Sequence, residues 1–244
     1  FFYGVAMSRD ATITAVVSNG IPNDNVYAPI RYSAFDGMST GYQPWSTWGG
    51  PPSVAQPLTA TTFKLLRAAA GTPDGLKLFV IQYGGQASYS LNGGNTWSDP
   101  TYWAKSSSNP QGLPLTTGAE GVAVSDDFSV KLVTGQGSPI YINRNTAKTW
   151  GTIFGGVKVD WRSVGCNSDC STVIGVSFGS SLYVSKPNTN LQEYTIVRSA
   201  GARNWGFAST PDMMTQWITM QNGPLIKSID GGKTWVDKGT EQNY

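Results

Sequence analysis

The chain has 244 residues and a formal net charge of +2, and its charged residues make up only 13%. Nothing in this balance favours nucleic acid or an anionic membrane as a partner, since no basic block is longer than two residues. No apolar run approaches the ~20 residues that a membrane-spanning helix needs. Gly (29) and Pro (14) are plentiful, which favours many short strands joined by tight turns. We therefore expect an all-β protein.

A first phrase recurs along the chain, in which an apolar strand end meets a polar turn that is closed by Asp. A β-rich run follows each copy, such as Thr12–Val17 after the first and Leu76–Ile81 after the second. Because Asp hydrogen-bonds its own backbone two residues on, recurrence at one turn position predicts turn formers and not catalytic acids. The five copies end at Asp10, Asp74, Asp127, Asp169 and Asp212.

A second phrase is Ser228–Trp235, which reads Ser-Ile-Asp-Gly-Gly-Lys-Thr-Trp, and Ser90–Trp97 is a close copy with Asn for Asp. Its centre predicts a tight β-hairpin turn. The two phrases keep a common register, because 23 residues separate the turn Asp from the hairpin Trp in three of the copies. Five units account for the chain, at approximately 1–50, 63–106, 118–156, 159–198 and 203–240.

A period near 40–50 residues with four strands per unit is typical of propeller blades. The sequence therefore predicts a single β-propeller domain over 1–244, with about five four-stranded blades. The first unit begins on its first strand and the last unit ends on its last strand. We therefore expect the ring to close by face-to-face packing, without a strand borrowed from the other terminus.

The second phrase resembles the Asp-box, also called the bacterial neuraminidase repeat. The resemblance implies hairpins between the third and fourth strands of each blade, and structural roles for the box residues. Two copies are recognisable, one is decayed around Trp150, and two are barely recognisable. The residues given a structural box role are Ser90, Asn92, Gly94, Trp97, Trp150, Ser228, Asp230, Gly232 and Trp235.

The resemblance is to a family that includes sialidases, other glycosidases, sorting receptors, lectins and photosystem assembly factors, so it indicates fold more than function. Sialidase activity would imply six blades and an arginine triad that grips a carboxylate. The chain has five units, and only three glutamates, at positions 120, 193 and 241. There is no His, so metal sites and nucleophilic triads are poorly supported. We expect no catalytic residues, no metal and no cofactor.

The two cysteines, Cys166 and Cys170, have a spacing that suits a small loop disulfide, with two free thiols as the alternative. A disulfide would imply secretion. No Lys/Arg-led signal segment opens the chain, so we expect a mature, processed form located outside the cell or on its surface. There is no Asn-x-Ser/Thr acceptor, whereas the Pro/Ser/Thr loops suit O-linked sugars.

Several arginines and tryptophans fall near the predicted starts of the innermost strands. Aromatic faces stack on sugar rings and Arg offers fixed donors, so these residues are the candidates for a glycan-binding pocket. The competing interpretation is that the tryptophans wedge adjacent blades. The candidates are Arg67, Trp161, Arg162, Arg203 and Trp205.

A glycosidase would need two carboxylates about 5–10 Å apart, with Glu120, Asp126, Asp127 and Asp160 as candidates. The missing catalytic sets favour a non-catalytic, secreted propeller that acts as a structural or interaction subunit of an extracellular coat, appendage or filament. A carbohydrate-binding lectin is the first alternative and a glycoside hydrolase the second. The partners we expect are further copies of the chain, other extracellular proteins, and glycans.

Overall fold

The protein is described from a computed structural model. The structure describes residues 2–7, 9, 13–18, 31–34, 46–47, 66–83, 85, 87–93, 113–115, 118–144, 149–179, 181–198, 204–221 and 223–238. Within these ranges the only helical segment is a short 3-10 turn at Phe154–Gly156. The prediction of an all-β protein is confirmed.

The strands form five antiparallel sheets, each a meander in chain order. Sheet 1 holds β1 (Phe2–Met7), β2 (Ile13–Ser18), β3 (Arg31–Ala34) and β4 (Ser46–Thr47). Sheet 2 holds β5 (Leu66–Gly71), β6 (Leu78–Gln82) and β7 (Ala87–Ser90). Sheet 3 holds β8 (Ala119–Val124), β9 (Val130–Gly135), β10 (Tyr141–Arg144) and β11 (Gly151–Thr152). Sheet 4 holds β12 (Trp161–Cys166), β13 (Val173–Ser177), β14 (Leu182–Ser185) and β15 (Tyr194–Arg198). Sheet 5 holds β16 (Asn204–Ser209), β17 (Gln216–Met220), β18 (Ile226–Ser228) and β19 (Val236–Asp237).

The second strands of sheets 2, 3 and 4 are buried along their whole length. Their sequences, such as Leu78–Gln82, are mainly apolar and do not alternate, although β9 also buries Lys131 and Thr134. A strand has such a non-alternating sequence when both of its faces are buried, and here the neighbouring sheets bury them.

Separate apolar clusters fill the spaces between successive sheets. Phe79 and Ile81 of sheet 2 pack with Val122 and Phe128 of sheet 3. Trp161 joins sheets 3 and 4, and Ile174 and Ile218 belong to the cluster between sheets 4 and 5. The core is thus a set of layers between sheets.

Two glycines allow the closest approaches between layers. A Cβ at Gly165 would collide with the ring of Phe207 of sheet 5, and one at Gly175 would lie 2.8 Å from Ile140 Cδ1 of sheet 3. Side chains at these positions would force neighbouring sheets apart, because interiors are close-packed.

Candidate functional site: a ring of bulge residues at a channel mouth

The first strand of each sheet carries a β-bulge after its first residue. In sheet 2, Leu66 opposes Gln82 and Ala68 opposes Ile81, which leaves Arg67 as the extra residue. A bulge residue is released from the ladder, and bulges are used to re-aim side chains beside functional sites. The five bulge residues are Tyr3, Arg67, Glu120, Arg162 and Trp205.

The five first strands surround one cavity of about 240 Å³. Its apolar wall includes the residue two places after each bulge, which is Val5, Ala69, Val122, Val164 and Phe207. The bulges stand at the beginning of these strands, which places the five bulge positions at one end of the cavity, called here the channel mouth, while Arg67, Glu120 and Arg162 are not among the residues that line the cavity itself. The Asp-closed turns follow the same strands and lie at the other end.

Glu120 is the centre of an ion-pair cluster at this mouth. Its Oε2 accepts a hydrogen bond from Arg67 Nε at 2.9 Å, and its Oε1 accepts from Arg162 Nη1 at 2.9 Å and Gln136 Nε2 at 2.6 Å. The Glu120 side chain is 6% exposed, against 18% for Arg67 and 13% for Arg162. The cluster therefore joins sheets 2, 3 and 4 and holds two positive charges against one negative charge.

Each arginine of the cluster also lies over an aromatic ring. The Arg67 guanidinium carbon is 5.5 Å from the centroid of Tyr83, and that of Arg162 is 4.9 Å from the centroid of Phe178. Such cation–π contacts are attractive, and they act on the same guanidinium groups that bond to Glu120. The mouth therefore presents preorganised donors next to aromatic faces.

The structure brings together two of the five candidate binding residues, Arg67 and Arg162. Trp161 is fully buried, its indole packs against Phe154 and Tyr183, and its Nε1 donates to the Val157 carbonyl at 3.4 Å. No face of this ring is open to a ligand, so Trp161 drops out of the binding candidates. Trp205 occupies the bulge position of β16, and Arg203 lies outside the described residues.

Sequence reasoning considered Glu120 as a possible glycosidase carboxylate and missed that it joins the two arginines. The signal was present, because the repeat aligns Arg67, Glu120 and Arg162 at one position of three successive units. This alignment can be interpreted only when the bulge is known, because in a regular strand the three side chains would face a neighbouring sheet.

The other candidate carboxylates are engaged elsewhere. Asp160 is exposed and its Oδ1 accepts from the Gly137 amide at 3.0 Å. Asp126 pairs with Arg9 at 3.0 Å, on the opposite end of the channel from Glu120. In the described part of the chain, no group of three His, Cys, Asp or Glu side chains is arranged to hold a metal ion.

The repeated turns share one hydrogen-bond pattern. Asp127 Oδ1 accepts from the Ser125 hydroxyl at 2.6 Å and from the Ser129 amide at 2.8 Å. Asp74 and Asp212 accept from the equivalent residues. These bonds favour the ionised carboxylate, and they lower the pKa of Asp127 to about 2, the Ser125 hydroxyl contributing most.

The turns are also bonded to one another. The residue before the turn Asp donates its amide to the equivalent carbonyl of the next sheet, from Arg9 to Pro73 at 2.8 Å, from Asp126 to Ser168 at 2.7 Å and from Ser168 to Pro211 at 3.1 Å. At this end of the channel, backbone bonds therefore link sheet 1 to sheet 2 and sheets 3, 4 and 5 to one another.

The last hairpin is organised by Asp230. Its carboxylate accepts from the Ser228 hydroxyl at 2.8 Å and from the Thr234 amide at 2.9 Å, and the Trp235 indole donates to the Gly232 carbonyl at 3.0 Å. In sheet 2, the Ser90 hydroxyl donates to Asn92 Oδ1 in the same way. Trp150 packs against Phe79 with ring centroids 6.5 Å apart. Gly94 and Trp97 lie outside the described residues.

Cys166 and Cys170 form a disulfide, as predicted. It closes the turn that contains Ser168, the residue that both accepts from sheet 3 and donates to sheet 5. Cys166 also lines the channel. The disulfide therefore constrains the turn of sheet 4, which is hydrogen-bonded to the turns of sheets 3 and 5 on either side.

No helix among the described residues is long and apolar enough to cross a bilayer. No known family profile matches the chain, and no curated protein matches it.

The chain resembles several solved structures over 97% of its own length. One is YCF48 bound to D1 peptide, with a TM-score of 0.59 and 16% identity, of which the chain covers 66%. Another is YCF48 from Cyanidioschyzon merolae, with a TM-score of 0.57 and 14% identity, of which it covers 84%. A third is the Niastella koreensis GH74 enzyme, with a TM-score of 0.66 and 15% identity, of which it covers 37%. These proteins are β-propellers, so the likeness shows that this chain has a β-propeller fold.

Proposed function

We propose that the chain is a non-catalytic propeller that acts by protein interaction, as a subunit of an extracellular assembly such as a coat, an appendage or a filament. The observation that carries the non-catalytic part is the state of Glu120. Both of its carboxylate oxygens accept bonds from half-buried donors, which supports a structural role that joins three sheets over a catalytic one.

A glycosidase needs a pair of carboxylates about 5–10 Å apart across a cleft. Around the channel mouth the described candidates for such a carboxylate pair are Glu120 and Asp160. Glu120 forms ion pairs with two arginines, and Asp160 accepts a hydrogen bond from the Gly137 amide. The similarity to a GH74 enzyme at 15% identity bears on the fold alone. Hydrolysis of a glycoside that is abolished in Asp160→Asn would overturn the non-catalytic proposal.

The interaction part rests on apolar side chains that the hairpin ends expose. Leu76 and Leu91 of sheet 2 are 50% and 58% exposed, and the equivalent Met214 and Ile229 of sheet 5 are 49% and 68% exposed. Single exposed apolar residues are normal on a protein surface, so the support lies in the fact that two equivalent hairpins each expose such a pair. One of the similar structures is YCF48 bound to D1 peptide, which gives a protein segment a precedent as ligand for this fold.

The architecture of the proposed subunit is five blades, one per sheet, with Asp-box hairpins that have decayed to different extents. The disulfide between Cys166 and Cys170 supports an oxidising, extracellular location. O-linked sugars on the Pro/Ser/Thr loops belong to the same proposal.

Electron microscopy of the native material tests this function. Ordered fibres or lattices that contain the chain are the expected result. Dispersed single particles of the chain in native material would contradict it.

A lectin is the second candidate, and the channel mouth is the observation that favours it. Arg67 and Arg162 are fixed beside Tyr83 and Phe178, which is the combination of donors and aromatic faces that sugars require. The lectin function would be established if the chain binds on a glycan array and Arg67→Ala loses this binding while Arg9→Ala keeps it. Arg9→Ala is the control because it removes only the exposed ion pair with Asp126. Binding that is unaffected by Arg67→Ala would place any glycan site elsewhere.

A further inference from the structure

The outer edge of sheet 4 is longer than the outer edges of sheets 3 and 5. Its last strand, β15, runs over five residues, Tyr194–Arg198, whereas β11 and β19 have two residues each. Among the strands that the structure describes, β15 pairs only with β14. An edge strand presents a row of amides and carbonyls that can pair with another strand, and natural proteins commonly keep such edges short, charged or interrupted by proline. β15 is therefore a pairing edge that has not been shortened in this way.

The backbone groups of Tyr194 and Ile196 point away from sheet 4. The amide of Lys186 donates to the carbonyl of Glu193, so Glu193 is bonded inwards to the rest of the sheet. Thr195 is bonded inwards in the same way, because bonded positions alternate along an antiparallel strand. The residues between them direct their N–H and C=O outwards. Within the described part of the chain, no backbone bond reaches the outward groups of Tyr194 and Ile196.

The side chains along this edge are uncharged and suit a paired strand. Positions 194–197 are Tyr, Thr, Ile and Val, all of which have high β-propensity. Thr195 is exposed and Ile196 is 51% exposed. Tyr194 and Val197 pack inwards, against the clusters on either side of sheet 4. Uncharged β-formers without proline on an exposed edge favour pairing with a further strand.

A β-bulge limits the regular part of the edge. Opposite β14, the register of β15 skips Val197 between Ile196 and Arg198. A bulge disrupts the ladder locally, so an incoming strand can pair regularly only as far as Ile196. The segment 193–196 is therefore the part of the edge that sets the register of a partner strand.

From these observations we infer that β15 of one molecule pairs antiparallel with β15 of a second copy, about a two-fold axis at Thr195. In this register the outward groups of Tyr194 in each copy bond to those of Ile196 in the other, which gives two reciprocal pairs of backbone hydrogen bonds. A two-fold contact closes as a dimer, so the dimer is the building block and a fibre needs a second contact elsewhere. The inference rests on the proposed assembly function and names one contact between copies.

The residues of the edge favour a second copy as the partner. In this register Tyr194 stands beside Ile196 of the other copy, and the two Thr195 residues stand directly opposite each other. Aromatic with β-branched residues and Thr with Thr are favourable cross-strand pairs. Glu193 faces the end of the other strand, where the sequence has Arg198, so unlike charges come together at both ends of the pair. The strand is thus complementary to itself.

Charge substitutions at the two-fold axis test this register. Thr195→Lys and Thr195→Glu each place like charges directly opposite each other, which is destabilising, and circular dichroism checks that each variant is folded. Thr152→Lys is the matched control, because Thr152 is an exposed threonine on β11, the outer strand of sheet 3. Sedimentation equilibrium measures the dimer Kd of each protein. Hydrogen exchange of the Tyr194 and Ile196 amides reports on the edge itself.

We expect the wild type and Thr152→Lys to dimerise with the same Kd and to protect the amides of Tyr194 and Ile196 as the protein concentration rises. Thr195→Lys and Thr195→Glu should each raise the dimer Kd by about tenfold or more. Their equimolar mixture should dimerise as well as the wild type, because a lysine then faces a glutamate across the two-fold axis.

A wild type that stays monomeric, a dimer that neither charge substitution weakens, or a mixture that does not recover would overturn the inference. Protection of the two amides only when a different protein is bound would also overturn it, and would assign the edge to a foreign strand. The assembly function is judged separately on native material. Fibres built from a chain that is monomeric in these measurements would keep the function and overturn the inference, whereas dispersed dimers would support the inference and overturn the function.

Discussion

At the scale of single residues, the channel mouth depends on Glu120. A carboxylate that is 6% exposed is stable only when its charge is compensated, and two arginines and one amide do so here. Removing that charge leaves two cations close together in a partly desolvated site.

We therefore expect Glu120→Gln to lower the free energy of unfolding by roughly 3 kcal/mol, since breaking a buried pair leaves charge without compensation. Urea denaturation measures the change. Asp126→Asn is the control, because its pair with Arg9 has side chains that are 38% and 62% exposed, and exposed pairs contribute less than about 1 kcal/mol. Equal effects of the two substitutions would show that the cluster does not hold the sheets.

The turn aspartates give the protein a predictable response to acid. The pKa of Asp127 is lowered from 3.8 to about 2 by the Ser125 hydroxyl and the Ser129 amide. The pKa values of Asp74 and Asp212 are lowered by equivalent bonds, and that of Asp169 is lowered by the hydroxyl and the amide of Ser171. A carboxyl whose pKa is lower in the folded state stabilises that state above the unfolded pKa. This stabilisation is lost as the pH falls through the folded pKa.

We expect Tm to be nearly constant from pH 7 to 5 on this account and to fall between pH 4 and 2. Asp127→Asn should lower Tm at pH 7 and make the fall towards pH 2 shallower, because one of the titrating groups has gone. Calorimetry at fixed ionic strength measures both. A variant whose curve runs parallel to that of the wild type would rule out Asp127 as a contributor.

At the scale of elements, the disulfide closes a turn and also reaches the core, because Cys170 is fully buried in the cluster between sheets 3 and 4. It joins the end of β12 to a residue with a positive φ of 53°, and the loop that it closes is short. Its stabilisation comes from restricting the unfolded chain, while the turn that it fixes holds sheets 3 and 5 by backbone bonds.

Reduction, or the double substitution Cys166→Ser with Cys170→Ser, should lower the free energy of unfolding by about 2 kcal/mol, the amount expected for a small loop. Urea denaturation with and without a phosphine reductant measures it. The double variant serves as its own control, because the reductant should leave its midpoint unchanged. A reductant effect of equal size in that variant would assign the loss to something other than the disulfide.

The elements show where sequence reasoning succeeded and where it stopped. Repeated turn phrases predicted strands and hairpins, because their hydrogen bonds are local and depend on residue types such as Ser, Asp and Gly. The disulfide was also predictable, from spacing alone. The bulges were not, because Arg67, Glu120 and Arg162 fit a regular strand equally well and only the pairing register of Leu66 with Gln82 reveals the extra residue. The burial of Trp161 depends on Gly175 in a neighbouring strand, which no local pattern encodes.

At the scale of the whole molecule, the sheets are joined in two different ways. Side-chain ion pairs join sheets 2, 3 and 4 at the channel mouth, and backbone bonds join the turns at the other end. Prolines at positions 73 and 211 interrupt the second kind of link, so Ser168 is the residue through which sheets 3, 4 and 5 are connected.

Ser168→Pro tests that link with little disturbance, because Pro73 and Pro211 show that this turn position accepts proline. The substitution removes the amide that donates to Pro211. We expect faster hydrogen exchange in β16 and β17 with a change of less than about 1 kcal/mol in overall stability, since a net hydrogen bond and proline stiffening are of similar size. Ser171→Ala, elsewhere in the same turn, is the control. Unchanged exchange in sheet 5 would show that the apolar cluster alone holds it.

The bulges have a consequence for variation and for engineering. A bulge residue opposes no partner across the ladder, so cross-strand pairing does not restrict its type, and the positions before and after it keep the register. Positions 3, 67, 120, 162 and 205 can thus be varied without changing the strand register, provided that any change at 67, 120 or 162 keeps the charges of these three positions compensated, because their ion pairs join sheets 2, 3 and 4. New ligand specificities are best sought in a combinatorial library at these five positions, with the rest of the chain held constant.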